Sequence, residues 1–439
     1  MNRYLLKISI LVLLIGCIEP FDFTTEIETT DTLLVAEATL TNEVKKQKVK
    51  LSRTISLSQD SIINFDPEVR FVPSVRFDSI EPSFVEYESG AMVEIAENSG
   101  MVHTFSEITP GVYLSDSEFA AVENIGYSLN IITSNGEIYE SKEMSFSGQS
   151  RIDELYAERI INDFGEDGIA IYADSSDPTN QSNNFRYTYE EAYKIIAPKW
   201  TPFEFEILND GNVPLEVPAV RLVPRAKEEQ VCYNTVASSE IQLKNTVNLE
   251  ISSSQRNIVR FINRNNPIMS HRYSILVKQY LESQEAYDYY ESLNSFASSE
   301  NVFSQVQPGF LEGNIRSVSG DSNVLGFFDV VAVDQKRLFF NYVDYFPGED
   351  LPPYFQEEFN CDRIFSPQLG DPERDGPSPP PPLHCPEKLI PQIQRESIEY
   401  FGDNSIPPEI CEGPYLVTAR ICGDCTIFGS NVVPDFWEE

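Results

Sequence analysis

Between Gly90 and Tyr139, apolar side chains recur at every second position in short runs: Met92-Val93-Glu94-Ile95, then Val112-Tyr113-Leu114, then Tyr127-Ser128-Leu129-Asn130-Ile131. A period of two puts alternate side chains on one face of a pleated strand, so this stretch is committed to sheets with one buried face. Asn135-Gly136, just ahead of Ile138-Tyr139, supplies a hairpin turn, because both residues accept positive φ at little cost. Leu33-Leu34-Val35-Ala36-Glu37-Ala38 and Val49-Lys50-Leu51-Ser52 alternate or run apolar at strand length. The 21 Tyr, 28 Phe and 29 Pro beside 5 Met and 3 His fit strands joined by turns better than helical bundles. The chain is therefore expected to be mostly β.

Gly126-Tyr127 resembles the tyrosine-corner entry to a late strand of an immunoglobulin-like sandwich. Residues 33–147 are accordingly expected to form an N-terminal immunoglobulin-like β-sandwich, with 57–87 as a long insertion in it. A second β-rich domain, 148–345, is read from Ile169-Ala170-Ile171-Tyr172, Phe185 to Tyr189, Ile241-Gln242-Leu243, Tyr273 to Val277 and Val324 to Phe328. It holds one clear helix from Ser283 to Leu293. Ser283 caps it, and Ala286, Tyr289, Tyr290 and Leu293 share a face at helical spacing. Such a tyrosine stripe is core packing or a stacking surface for a ligand, and Tyr287, Tyr289 and Tyr290 are the candidate contacts. From 346 to 439 the composition turns to Pro and Cys. Pro377 and Pro379 to Pro382 bar regular helix and central strand, so an extended, loop-rich extension is expected there.

The amino terminus says where the protein goes. Arg3 and Lys7 precede a short apolar run ending in Leu14-Ile15-Gly16-Cys17, the order of a lipobox. Ile8 to Ile15 is too short to span a bilayer and suits the core of a secretory signal, giving a signal peptide at 1–16 and lipidation at Cys17. Several acyl chains there would hold the protein on a membrane where one would not. Residues 17–32 then read as an acidic tether, with Glu19, Asp22, Glu26 and Glu28. That acidity is compatible with display on the outer face of the outer membrane. The formal charge of −37 deepens by two when Arg3 and Lys7 leave. Such a surface repels phosphate backbones and anionic headgroups, so no nucleic-acid partner is expected and membrane attachment rests on the lipid.

Six cysteines remain after Cys17: Cys232, Cys361, Cys385, Cys411, Cys422 and Cys425. An even number in an exported chain points to disulfides, with Cys232 reaching from the second domain to pin the tail and the connectivity left open. Zinc at Cys422 and Cys425 with Cys411 and Cys385 or His384 is the competing reading, but the compartment is oxidising and no second close pair exists. A redox-active Cys-x-x-Cys lacks its βαβ context. Catalytic patterns are absent from the sequence: no Gly-x-Ser-x-Gly, His-Glu-x-x-His or phosphate loop occurs, and only His103, His271 and His384 offer an imidazole base. Carboxylate pairs single nothing out. Asp163-x-Gly165-x-Asp167-Gly168 with Asp174 partly copies a calcium loop, yet Gly165 lacks a ligand oxygen and no flanking helices occur, so a polar turn is the better account. No catalytic residue, metal or cofactor is assigned.

The order of Cys17, Leu34-Val35-Ala36-Glu37-Ala38, Gly90-Ala91-x-Val93-x-Ile95, Gly111-Val112-Tyr113, Tyr127-x-Leu129 and Cys232-Tyr233 resembles a Bacteroidota family of exported lipoproteins known as domain of unknown function 4249. Gln279-Tyr280 with Glu285-Ala286-Tyr287, Gly313-Asn314-Ile315, Val324 to Phe328, and Cys422-x-Asp424-Cys425 with Pro434-Asp435-Phe436-Trp437 extend the likeness over nearly the whole exported chain. The resemblance implies a surface accessory lipoprotein for a TonB-dependent outer-membrane receptor, and it carries no catalytic residues with it. The expected function is a non-enzymatic ligand-binding or accessory subunit in nutrient uptake. A surface adhesin and a hydrolase working through carboxylates are the alternatives.

Overall fold

The computed structural model describes residues 32–54, 86–210, 217–247, 253–298, 311, 313–318, 320, 324–354, 361–369, 387–405 and 411–439. The readings at the lipobox, at Cys17, at Cys385, at the Pro377–Pro382 run and over most of the 57–87 insertion lie outside them. The described chain is mostly β.

The amino-terminal strands are β1 (Leu34–Thr41), β2 (Lys48–Arg53), β3 (Glu86–Tyr87), β4 (Met92–Glu97), β5 (Val102–Thr109), β6 (Val112–Ser115), β7 (Tyr127–Ile132) and β8 (Ile138–Ser141). Next come β9 (Arg151–Ile161), β10 (Asp167–Ser176), β11 (Asn184–Ile196), β12 (Phe203–Asn209), β13 (Ala219–Pro224), β14 (Val231–Ala237), β15 (Gln242–Asn245), β16 (Ser253–Asn263) and β17 (Arg272–Glu282). The long helix Gln284–Ser298 follows, then β18 (Ile315–Ser317), β19 (Val324–Asn341), β20 (Phe365–Pro367), β21 (Ile398–Asp403) and β22 (Glu412–Ala419).

One hydrogen-bonded path joins most of them, in the order β14-β11-β17-β19-β1-β2-β6-β5-β4-β7-β8-β18. It runs unbroken across the boundary expected at residue 147. The crossing is β19, whose first half pairs in parallel with β1, Leu34 opposite Val324 through Thr41 opposite Val331. Its second half pairs antiparallel with β17, Leu281 opposite Ala332 through Arg272 opposite Asn341. Where β17 has ended, the Asn314 side chain completes the free edge: Nδ2 donates to Phe328 O and Phe328 N–H donates to Oδ1, both at 2.8 Å. Close approach here requires glycine. Gly326 stands at φ +128°, and a Cβ on it would meet Ala36 O at 2.0 Å, while a Cβ on Gly313 would meet Gly326 O at 1.6 Å.

Alternation then assigns the two faces. Leu34, Ala36, Ala38 and Leu40 of β1, Val49 and Leu51 of β2, and Phe328 and Val330 of β19 go into one continuous core. The small sheet β16-β10-β9 packs Ile152, Ile169, Ile171, Val259 and Ile262 into the same core. In the amino-terminal strands the buried Tyr127 hydroxyl accepts the Val122 N–H at 3.0 Å, the upstream backbone bond that defines a tyrosine corner. The Asn135-Gly136 turn closes as expected, with Gly136 at φ +88° between β7 and β8.

The carboxy-terminal segment carries more regular structure than its proline content suggests. β20, β22 and β21 form a three-stranded sheet over a small core of Leu389, Ile398 and Val417. The pattern is hard to read because Pro414-Tyr415-Leu416-Val417 runs apolar without alternating and a register shift at Tyr400/Gly402 breaks the pairing. Cys232 of β14 is bonded to Cys425, and Cys361 to Cys422. Cys411 is disulfide-bonded as well. Arg225 pairs with both Glu229 and Glu399, adding an ionic tie between this unit and the strands it rests on. The final residues fold back, with Trp437 edge-on to Tyr233 at 4.9 Å and Arg337 over Phe436 at 3.6 Å.

Two outcomes follow from this arrangement. Gly326→Ala should cost about 3 kcal/mol or more in urea unfolding, since it adds an overpacked methyl at a positive φ. Replacing Cys232 and Cys425 together by Ser should cost about 2–5 kcal/mol and make the carboxy-terminal unit the first fragment released by limited proteolysis.

Candidate functional site

The face of the large sheet opposite the core is built from the other half of the alternation: Val35, Glu37 and Thr39 on β1, Lys48 and Lys50 on β2, Arg186 on β11, Lys278 and Tyr280 on β17, and Leu325 and Phe327 on β19. These residues line a cleft of about 1080 Å3. Its wall is the helix Gln284–Ser298, which contributes Tyr289, Tyr290 and Leu293. Ser283 starts that helix as the sequence suggests, its Oγ accepting the Ala286 N–H at 3.1 Å. Ala286 is fully buried, and Tyr289 stacks on Phe327 with ring centroids 4.9 Å apart.

Of the candidate contact tyrosines, Tyr289 and Tyr290 line the cleft and Tyr287 is not among its lining residues. Helical geometry explains the division: 289 and 290 follow Ala286 onto the inward face, and 287 turns away from it.

Beneath the cleft lies an ionic cluster that the sequence did not reveal. Arg186, Glu282 and Asp329 come from three strands, and all three are buried. Arg186 Nε donates to Glu282 Oε1 at 2.6 Å, and its Nη2 lies 3.5 Å from Asp329 Oδ2. The guanidinium sits between the rings of Tyr280 and Tyr290, 4.2 Å from each centroid. Burial works against its charge, but Glu282, Tyr290 and Asp329 around it hold the guanidinium above its ordinary pKa. Two buried carboxyls cannot both ionise against one cation. Burial, with Glu282 beside it, raises the Asp329 carboxyl well above its ordinary value. That raised value favours the neutral acid at Asp329. Tyr290 is likewise raised by burial, with Arg186 opposing.

The rim of the cleft is cationic in an acidic protein. Lys45, Lys46, Lys48, Lys50 and Lys278 line it, against the single carboxylate of Glu37. Lys50 lies 3.7 Å from Glu37 and Lys45 pairs with Glu43. Lys46, Lys48 and Lys278 have no carboxylate within ion-pair distance among the described residues. Burial lowers the Lys48 pKa, and the neighbouring Lys50 and Lys278 charges lower it further. The signal for this rim was present as Lys48-x-Lys50, two cations on one face of β2, with Lys46 just ahead of the strand.

The remaining candidates lie elsewhere. Asp163 and Gly165 occupy the β9–β10 turn, where Asn162 Oδ1 accepts the N–H groups of Phe164 and Glu166. Asp167 is engaged by Arg159 and Arg264, and Asp174 accepts the Arg256 N–H at 2.6 Å. Among the described residues no group of three or more His, Cys, Asp or Glu is placed to hold a metal ion. His103 stacks on Phe119 at 3.7 Å and bonds Glu97, and His271 precedes β17, where burial lowers its pKa. A second recess of about 650 Å3 beside Tyr233 and Phe428 mixes both signs, Lys227 and Arg420 with Glu229.

The cluster makes opposite predictions for two variants. Asp329→Asn keeps the shape of the neutral acid and should change stability by less than about 1 kcal/mol near pH 4. Arg186→Met strands a buried carboxylate and should cost about 3–5 kcal/mol. Because the folded-state pKa of Asp329 is raised, its contribution is complete below the unfolded value and is lost as pH rises toward the folded one. The Asn variant should therefore gain on the parent from pH 4 upward, as read by denaturant midpoints across pH.

No curated protein matches the chain. A family model described as Domain of unknown function (DUF4249) matches residues 18–337, a span that includes β1 and β2, the long helix and all three strands of the ionic cluster. That is well over half of the sequence, and the chain belongs to this family.

Proposed function

We propose that this protein is a non-enzymatic, lipid-anchored outer-membrane protein of the exported Bacteroidota type, binding a ligand as the accessory subunit of a TonB-dependent uptake receptor. The observation that carries the binding role is the cleft of about 1080 Å3, with aromatic rings on one wall and unpaired lysines on its rim. A concave, partly apolar site with a few polar groups is what ligand recognition uses. The absence of a nucleophile-and-base pattern from the sequence supports binding over turnover. Leu14-Ile15-Gly16-Cys17 supports attachment through lipid, and no helix among the described residues is long and apolar enough to cross a membrane. The family's association with TonB-dependent receptors, implied by the resemblance of the sequence motifs, supplies the partner.

Affinity purification from gently solubilised outer membrane tests this reading. The native chain should bring down a large β-barrel receptor in near-equal amount, and Cys17→Ala should leave the membrane fraction and lose the receptor. Recovery of the native chain alone overturns the accessory role.

A further inference from the structure

The Lys rim and the aromatic wall belong to one cleft, and together they specify a ligand chemistry. We infer that the cleft binds an organic anion with an apolar body, an acyl or aromatic compound bearing a carboxylate or a phosphate. This rests on reading the cleft as a ligand site and goes further by naming the class.

The argument begins with charge. In a chain of formal charge −37 many cations pair with acids, among them Arg159, Arg225, Arg256 and Arg264, and among the described residues Lys227, Lys244 and Lys336 do not; what sets the cleft apart is that three such lysines share it. Lys46, Lys48 and Lys278 converge on the same cleft with no carboxylate at ion-pair distance among the described residues, the one acid of the lining, Glu37, lying 3.7 Å from Lys50. Like charges held together destabilise the free protein, and an anion among them relieves the repulsion. The strand periods enforce the grouping. Lys48 and Lys50 share a face of β2, and Lys278 reaches the same face from β17 on the far side of β19 and β1.

The rest of the lining sets the other half of the ligand. Tyr289 stacked on Phe327 and the side chains of Leu293 and Leu325 present apolar surface next to the lysines. Arg186 is already committed below to Glu282 and to two tyrosine rings, so the cations left for a ligand are Lys46, Lys48 and Lys278. An inorganic anion would leave the apolar wall uncovered, and a neutral apolar ligand would leave the lysines repelling one another. A molecule with both parts satisfies both.

Calorimetric titration of the full-length chain in a nonionic detergent tests the assignment with three probes of one shape: naphthalene-2-carboxylate, 2-naphthyl phosphate and the neutral naphthalene-2-carboxamide. At least one anion should bind about tenfold or more tighter than the carboxamide, the difference expected of one charge-assisted contact. Lys48→Gln with Lys278→Gln should abolish that preference, bringing the anions down to the affinity of the carboxamide, without lowering the melting temperature, since it removes like-charge repulsion. Tyr289→Ala should weaken all three probes. A preference for the carboxylate assigns the site to carboxylic acids, and one for the phosphate assigns it to phosphate esters. Equal binding of the three probes overturns the anion assignment and leaves a neutral apolar ligand site standing. No binding of any probe by a chain that still recovers its receptor overturns the ligand class without touching the accessory role.

Discussion

The large sheet of this molecule depends on β19. Its eighteen residues lend one edge to β1 and the other to β17, so two sets of strands that the chain makes far apart become one sheet. β19 is buried at every residue from Gly326 to Val333, so both of its faces are covered there. The close passage past β1 leaves no room for a side chain at Gly326 or Gly313. Asn314 supplies the hydrogen bonds that the edge would otherwise lack. An unmade pair of backbone bonds in this buried position would cost more than any neighbouring contact returns.

The cleft is a consequence of that junction. Where β17 stops and β19 continues, the sheet face carries Arg186, Glu282 and Asp329, and the long helix lies over them with Tyr290 on the guanidinium. The cluster holds the helix at a fixed place above the sheet, and the gap between that helix and β2 is the cleft. A buried ion pair is rarely a strong source of stability, because its desolvation offsets its attraction. Here its consequence is geometric: three strands and one helix must keep their register for a single cation to be satisfied. The C-terminal unit is held differently, by Cys232–Cys425 and by Arg225 with Glu229 and Glu399, and adds nothing to the lining of this cleft.

Much of the fold was legible residue by residue. Leu34-Val35-Ala36, Met92-Val93-Glu94-Ile95 and Tyr127-Ser128-Leu129 stand as strands, the Asn135-Gly136 turn closes its hairpin, and Ser283 caps the helix. In each case the information is local, a period or a cap within a few residues. The sheet of β20 to β22 was not legible, because its apolar residues do not alternate and register shifts interrupt its pairing. Part of the site was visible in the same way, Tyr289 and Tyr290 from helical spacing, whereas Lys48 and Lys50 read only as the solvent side of a strand until the sheet set them beside the helix. Arg186, Glu282 and Asp329 gave no signal, being ordinary charged residues until three strands bring them together.

The sequence by itself determined the strand-rich class, the helix with its inward tyrosines, the acid balance and the supply of cysteines, since each depends on composition or on spacing within one element. Only the tertiary structure decided that β1 lies beside β19, which cysteines meet, and that lysines from β2 and β17 share one cleft. Those outcomes depend on pairings between segments distant in the chain, and a period of two fixes which face a residue occupies without naming the strand that will lie next to it.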